Sequence, residues 1–264
     1  MPYISTVNAS MDINKTASLP VISIVTVVLN AKNDLLKTIE SVIHQTYSTI
    51  EYIIIDGGST DGTVDVIKQY QDYITYWVSE PEQGISDAFN KGIDRATGRL
   101  IGLLNAGDQY QPNAVEIVVH EYLNATHKNT FLCTGNLFII EWDAVFKADK
   151  NYAFKLPFMM PVLNHPACFV ASEIYQTIGH FNINIKIAMD FEFLKRCHKA
   201  GIQIQCIDAL LVIIDGFGVS EKQYWRGYAE VLKYSDNKLL TLLLPPYIIM
   251  NRAILSLIKL LRKC

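Results

Sequence analysis

Carboxylates and amides in this chain stand where apolar runs end, at positions from which they could hold a cation, a hydroxyl or a proton. Leu100 to Asp108, LIGLLNAGD, passes from a short apolar run into Asn105 and Asp108 across a turn that Gly107 loosens. A carboxylate there suits a hard cation or a sugar hydroxyl, and Asn105 can add a carbonyl oxygen. The alternative is that Asp108 caps the helix after Pro112. Asp56 ends the run IIID before Gly57-Gly58-Ser59. It can accept a hydrogen bond from a nucleobase N–H while the glycines admit a ligand to the backbone, or it can simply organise the turn. Asp61 reads as a helix cap. Asp87 and Asn90, three apart in GISDAFNKG, share one helix face, which is either turned to the same crevice or a solvated first turn. Asp190, with Phe191 and Phe193 beside it, has the apolar surroundings that suit a base taking a proton from an alcohol, or else caps its helix. His165, in NHPACF, can orient an acceptor, shuttle a proton or be a satisfied structural residue.

The elements that must position these groups alternate in period. Residues 21–29, VISIVTVVL, read as a strand buried on both faces of a parallel sheet. Leu35, Leu36, Ile39, Val42 and Ile43 have helical spacing. A strand over 51–55, a helix carrying Val64, Val66 and Ile67, a strand over 74–78 and a helix with Ile85, Phe89 and Ile93 follow. LIGLL is then the fourth strand of a β-α-β-α-β-α-β series with right-handed crossovers, and its carboxyl end faces the crevice where open α/β sheets bind ligands. Pro112 suits the first residue of a helix over 113–124. From there the rhythm changes. Residues 130–142 are β-rich, 143–165 have no clear period, and helices over 172–178 and 190–200, a strand over 203–214 and an amphipathic helix over 221–238 complete the pattern. The strands and irregular segment after 130 imply an added antiparallel piece that builds an acceptor side.

With 264 residues, half of them apolar and 19% charged, the chain has length and composition for a globular fold. A net charge of -3 argues against a nucleic-acid partner. Cys133, Cys168, Cys197, Cys206 and Cys264 form no C-x-x-C pair and read as reduced thiols of a cytosolic protein. Residues 1–19 lack the basic and apolar regions of a signal peptide and read as a tail. The stretch 239–264 is apolar but broken by Pro245-Pro246 and Asn251-Arg252, so it does not read as a spanning helix. With Arg252, Lys259, Arg262 and Lys263 it fits a helix at a membrane interface, at the inner face of the cell membrane, or alternatively one docked on the core or on a second copy of the chain.

The order of the motifs is more specific than any one of them. DGGSTDGT, GISDAFNKGIDRATG, LLNAGD, HPACF and MDFEFLKR, in sequence, resemble the family 2 glycosyltransferases of the GT-A fold over about residues 21–220. The resemblance implies a Rossmann-like, mostly parallel α/β sheet with a nucleotide-sugar half (20–110), an acceptor half (111–220) and C-terminal amphipathic helices (221–264). It implies an inverting, metal-dependent transfer from a nucleotide diphosphate sugar to a glycan or lipid-linked acceptor in polysaccharide or glycolipid synthesis. On that resemblance Thr26, Asn30, Asp56, Asp87, Asn90 and Asn105 would bind the donor, and Asp108 would hold Mn2+ or Mg2+. Asp190 would be the catalytic base and His165 would face the acceptor. The family often shows Asp-Ala-Asp-Asp where this chain has Asn105-Ala106-Gly107-Asp108, so one carboxylate remains and the cation site would be completed by the donor diphosphate. The reduced element also motivates a second reading, a non-catalytic nucleotide-sugar-binding scaffold. A nucleotidyltransferase reading lacks the Lys/Arg cluster a triphosphate would need.

Overall fold

The β-branched run near the N-terminus becomes the inner strand on which the first half of the chain is built. In the computed structural model, which describes residues 19–141, 143–148, 165–215 and 223–234, Ile22–Val28 (β1) is buried at every position. A strand with no polar face must be covered on both sides. Ile50–Asp56 (β2) and Leu100–Asn105 (β4) flank it in parallel, and Tyr76–Ser79 (β3) pairs in parallel with β2. Lys32–Ile43 (α1), Thr63–Gln69 (α2) and Ile85–Arg95 (α3) are the crossovers between them. The order β3-β2-β1-β4 therefore opens every strand-to-helix turn at one edge, the carboxyl ends of the strands.

Helix α3 lies so close to β1 that Gly92 is a packing requirement. A Cβ there would come within 2.2 Å of Val25 Cγ1. Gly92→Ala is expected to destabilise the fold by about 1–3 kcal/mol through overpacking, despite the ~1 kcal/mol that alanine gains in helix propensity. Urea unfolding measures the difference, and equal midpoints would refute the packing argument.

Beyond β4 the strand direction reverses. Cys168–Ala171 (β8) pairs antiparallel with β4, and Leu132–Ile139 (β6) pairs antiparallel with β8. Ile204–Ile214 (β9) runs parallel to β6, while Gln109–Tyr110 (β5) pairs antiparallel with β9 and Ala144–Phe146 (β7) with β6. The antiparallel piece is thus continuous with the parallel one in a single sheet, nine-stranded among the described residues. Ala114–Asn124 (α4), Ser172–Ile178 (α5), Met189–Lys199 (α6) and Tyr224–Tyr234 (α7) complete the α-helices among the described residues.

Some boundaries move for local reasons. The helix expected from Asn113, led by Pro112, starts at Ala114, because Ala114 N–H bonds the Gln111 carbonyl in a turn and the Pro112 carbonyl accepts Thr46 N–H. The strand expected at Ile74 starts at Tyr76, after a 3-10 turn over Gln71–Tyr73 that returns Ile74 N–H to Gln71. Helix α7 is not a detached tail: Val231 is buried in the core, and Lys195 on α6 donates to the Tyr234 carbonyl. Residues 1–18, most of 143–165 and 239–264, with the expectations placed on them, lie outside the described residues. Among the described residues no helix is long and apolar enough to cross a membrane.

Candidate active site

Strand β4 delivers its carboxylate by folding back on itself. Gly107 adopts φ 105°, a left-handed conformation that a side chain would disfavour. Thr38 on α1 clamps the turn, accepting Gly107 N–H at 2.9 Å and donating to the Asp108 carbonyl at 2.9 Å. Asp108 does not cap α4. Its Oδ2 instead accepts the backbone N–H of Asn105 at 3.2 Å and the Asn105 Nδ2 at 2.9 Å. Burial pushes the Asp108 carboxyl up to about 6, against the opposing pull of His165 and of the bonds from Asn105.

The same Asn105 amide reaches His165, with Nδ2 3.0 Å from Nε2. An amide nitrogen donates, so in the neutral imidazole Nε2 accepts and the proton sits on Nδ1. His165 Nδ1 lies 3.7 Å from Asp190 Oδ2. Phe89 meets the imidazole edge-on at 5.3 Å between centroids, which fixes its plane. Asp190 is in the first turn of α6, its Oδ1 accepting Phe191 N–H at 2.8 Å. Behind the pair is an apolar pocket walled by Leu103, Val170, Tyr175, Phe181, Phe193 and Leu194. Glu192, two residues on, is held by Arg196 at 2.9 and 3.0 Å and takes no part. Four of the residues singled out in the sequence thus form one chain: Asp108, Asn105, His165, Asp190.

The residues expected on the donor side divide differently. Thr26 is fully buried within β1, its hydroxyl 3.1 Å from that of Tyr52, so it lies inside the sheet and not at the crevice. Asn30 has φ 49°, and its Oδ1 accepts Thr60 N–H at 2.9 Å, joining the β1 and β2 turns. Asp56, fully buried, accepts Gly58 and Ser59 N–H and the Ser79 hydroxyl on Oδ2, and the Ser59 hydroxyl on Oδ1. It organises the turn and keeps little acceptor capacity for a ligand. Asp87 takes Gln83 N–H at 3.0 Å and faces Lys91 at 3.6 Å. Asn90 is spent on the backbone of Phe181, donating to its carbonyl at 2.9 Å and accepting its N–H at 3.0 Å. It braces α3 to the segment before α6.

Sequence reasoning passed over Glu82. Its carboxyl covers Gly57, where an added Cβ would lie 2.9 Å from the Glu82 Cδ, and its Oε2 is buried without a hydrogen-bond partner. Burial and then the nearby charge of Asp87 raise its carboxyl above the usual range. The signal that could have found it is its place just after β3, at the same carboxyl-end edge as the other sites.

A family model for Glycosyl transferase family 2 matches residues 23–186, well over half of the chain. The chain belongs to glycosyltransferase family 2. It is 32% identical over 199 residues to an uncharacterized glycosyltransferase of Mycobacterium tuberculosis, covering 72% of this chain and 74% of that one. With a PGL/p-HBAD biosynthesis glycosyltransferase of Mycobacterium bovis it shares 28% identity over 187 residues, covering 67% and 70%. In fold it is similar to residues 1–349 of Staphylococcus aureus TarS in complex with UDP-GlcNAc, with a TM-score of 0.62, 12% identity, and 83% of this chain covering 69% of that one. It spans 41% of a longer TarS chain. It is also similar to the mannosyltransferase PcManGT from Pyrobaculum calidifontis in complex with GDP-Man and Mn2+, with a TM-score of 0.61, 12% identity, and 84% covering 66%. These structures establish the GT-A fold for this family 2 glycosyltransferase.

As a possible cation holder the glycosyltransferase offers few groups. Among the described residues, no three His, Cys, Asp or Glu side chains are arranged around a common metal position. The oxygens available are the Asp108 carboxylate, which the Asn105 amide meets through its Nδ2, and Asn105 Oδ1, which is buried with no hydrogen-bond partner. Two ligands do not complete the six or more oxygens of a divalent cation. They fit one whose remaining positions come from an anion in the crevice.

Proposed function

We propose that this glycosyltransferase moves a hexose with inversion from a nucleoside diphosphate sugar to a hydroxyl of a glycan or lipid-linked acceptor, in the synthesis of a cell-surface polysaccharide or glycolipid. The observation that supports the reading is the chain Asp108–Asn105–His165–Asp190, which links a carboxylate just past the end of β4 to another that lines the apolar pocket. Asp190 takes the proton of the acceptor hydroxyl, whose oxygen attacks the anomeric carbon as the bond to the diphosphate breaks. His165 turns its Nδ1 proton toward Asp190, 3.7 Å away, and faces the acceptor. Asn30, Asp87 and Asn105 line the donor crevice. Asp108 and Asn105 Oδ1 would hold Mn2+ or Mg2+, which when bound supplies positive charge to the leaving diphosphate. The Mn2+ present with GDP-Man in the similar mannosyltransferase supports that assignment.

In this reading the carboxylate that lacks a donor, and takes a nucleobase N–H when the sugar nucleotide binds, is Glu82 and not Asp56. Uracil and guanine, the bases of the donors in the two similar structures, each carry a ring N–H beside a carbonyl; cytosine and adenine present a bare nitrogen there. Calorimetry with UDP-, GDP-, CDP- and ADP-sugars, with and without Mn2+, is expected to show binding of a UDP- or GDP-sugar only. Glu82→Ala is expected to weaken that binding about tenfold to a hundredfold, as loss of a hydrogen bond to a charged group does. Preferred binding of CDP- or ADP-sugars would remove Glu82 from the base.

The single carboxylate at 105–108 favours a second reading, a scaffold that binds the donor without turning it over. Release of nucleoside diphosphate and transfer to an acceptor decide between them: tight donor binding with neither product, for any acceptor, would establish the scaffold.

A further inference from the structure

The segment that leads into α6 carries Asp190 but does little to hold itself. Its N-cap residue is Ala188, which has no side chain to satisfy the free N–H groups at a helix start. An acceptor from α7 holds the N–H groups at the N-cap and just ahead of it. Glu230, whose side chain is 14% exposed, accepts Lys186 N–H at 3.1 Å on Oε1, and Ile187 N–H at 2.8 Å and Ala188 N–H at 3.0 Å on Oε2. Arg226, one turn back on α7, places Nε 3.5 Å from Oε1. Gly227 lets the helix come this near, since a Cβ there would lie 2.7 Å from Ile187 Cγ2.

The other side of the segment is tied to the donor half. Ser86 on α3 donates to the Ile185 carbonyl at 2.8 Å, and Lys186 Nζ donates to the Gln83 carbonyl at 2.5 Å, above Gly84. Residues 185–188 are therefore a bridge between the start of α3, with the donor loop before it, and the helix that bears Asp190. Glu230 is the one side chain among the described contacts that grips three successive N–H groups of that bridge.

We propose that Glu230 is a positioning residue for Asp190: by holding residues 186–188 it sets the place of the Asp190 carboxylate relative to the donor. The inference rests on Asp190 being the base. It makes α7 part of the machinery for turnover, although no atom of α7 needs to touch the substrate. A general base misplaced by about an ångström can lose a hundredfold in rate while the donor site, made by other segments, stays formed.

The test uses the full chain with UDP-GlcNAc and GDP-mannose as donor probes, reading nucleoside diphosphate release for kcat and KM and calorimetry for donor affinity. Glu230→Ala is expected to lower kcat at least tenfold with KM and donor affinity within about twofold. Glu230→Gln, which keeps a carbonyl acceptor, is expected to recover most of that loss. Glu230→Asp keeps the charge and the fold but withdraws the carboxylate, and is expected to lower kcat in the same selective way; it carries the test where the alanine variant does not fold. Gly227→Ala, which pushes α7 from Ile187 with Glu230 intact, should do likewise. Unchanged kcat in the alanine and aspartate variants, or donor affinity falling in step with kcat, would overturn the proposal. Asp190→Asn is the control for the reading beneath it: full turnover in that variant would sink the base assignment itself, whereas an inactive Asp190→Asn beside a fully active Glu230→Ala would sink the positioning role alone.

Discussion

Asp190→Asn is expected to cut turnover of the donor by about a hundredfold to ten-thousandfold while leaving donor affinity within about twofold. The substitution changes almost no volume, and an amide oxygen can still accept the Phe191 N–H that Oδ1 now takes. What it removes is the ability to receive a proton. No neighbour on the helix can replace it: Glu192 has both oxygens on the Arg196 guanidinium, which is braced in turn by the carbonyls of Ile178, Gly179 and His180. His165 stands next to Asp190, but its Nε2 is engaged by Asn105, so the proton on Nδ1 faces Asp190 and leaves that nitrogen no lone pair for an acceptor hydroxyl. Steady-state release of nucleoside diphosphate, read beside calorimetry, separates the two quantities. A turnover within a factor of two of the parent would show that another group takes the proton.

The parts of this arrangement that were legible in the sequence are those set by local pattern. A near-continuous β-branched run reads as a strand covered on both faces, and β1 is that strand. The apolar run before Asn105 and the Phe-rich turn after Asp190 placed Asn105 at the end of a strand and Asp190 at the start of a helix, as they are in β4 and α6. Proximity of the two was not legible, because it depends on a non-local pairing. His165 reaches Asn105 because Cys168–Ala171, which follows it, joins the free edge of β4 with Gly102 opposite Phe169. Spacing along the chain does not encode that register. Nor does residue type reveal whether a polar group is already used. Thr26, Asp56 and Asn90 have the chemistry of ligand contacts, yet their partners are Tyr52, the 57–59 turn with Ser79, and the Phe181 backbone. Glu82 was overlooked for the converse reason: its free oxygen is a consequence of neighbours that offer it no donor.

Asp108→Asn should change stability and ligand response in opposite directions. Burial lifts the folded-state carboxyl to about 6 from the 3.8 of an exposed group, so the ionised form is the one that the fold disfavours. Below about pH 4 the carboxyl is protonated folded or unfolded and carries no penalty. As pH rises towards 6 the unfolded chain ionises first, and the folded state loses ground until both are ionised above about 6. A two-unit rise corresponds to about 2–3 kcal/mol. In EDTA at pH 7.5 the asparagine variant, which cannot ionise, is expected to be more stable than the parent by up to about 2–3 kcal/mol, with the difference shrinking as pH falls from 6 to 4.5. Urea unfolding across that range measures it. With Mn2+ and a bound nucleoside diphosphate the order should reverse. Ligand binding stabilises the parent in proportion to saturation, whereas the variant has lost the carboxylate that would help hold the cation. Thermal shifts with UDP or GDP, each with and without Mn2+, read this second half. If the variant gained no stability at pH 7.5, the buried charge would not be a burden on the fold. If it responded to the nucleotide and Mn2+ as fully as the parent, Asp108 would not be a cation ligand. The combination expected here is that of a side chain kept at some cost in stability because it is used only when the donor arrives.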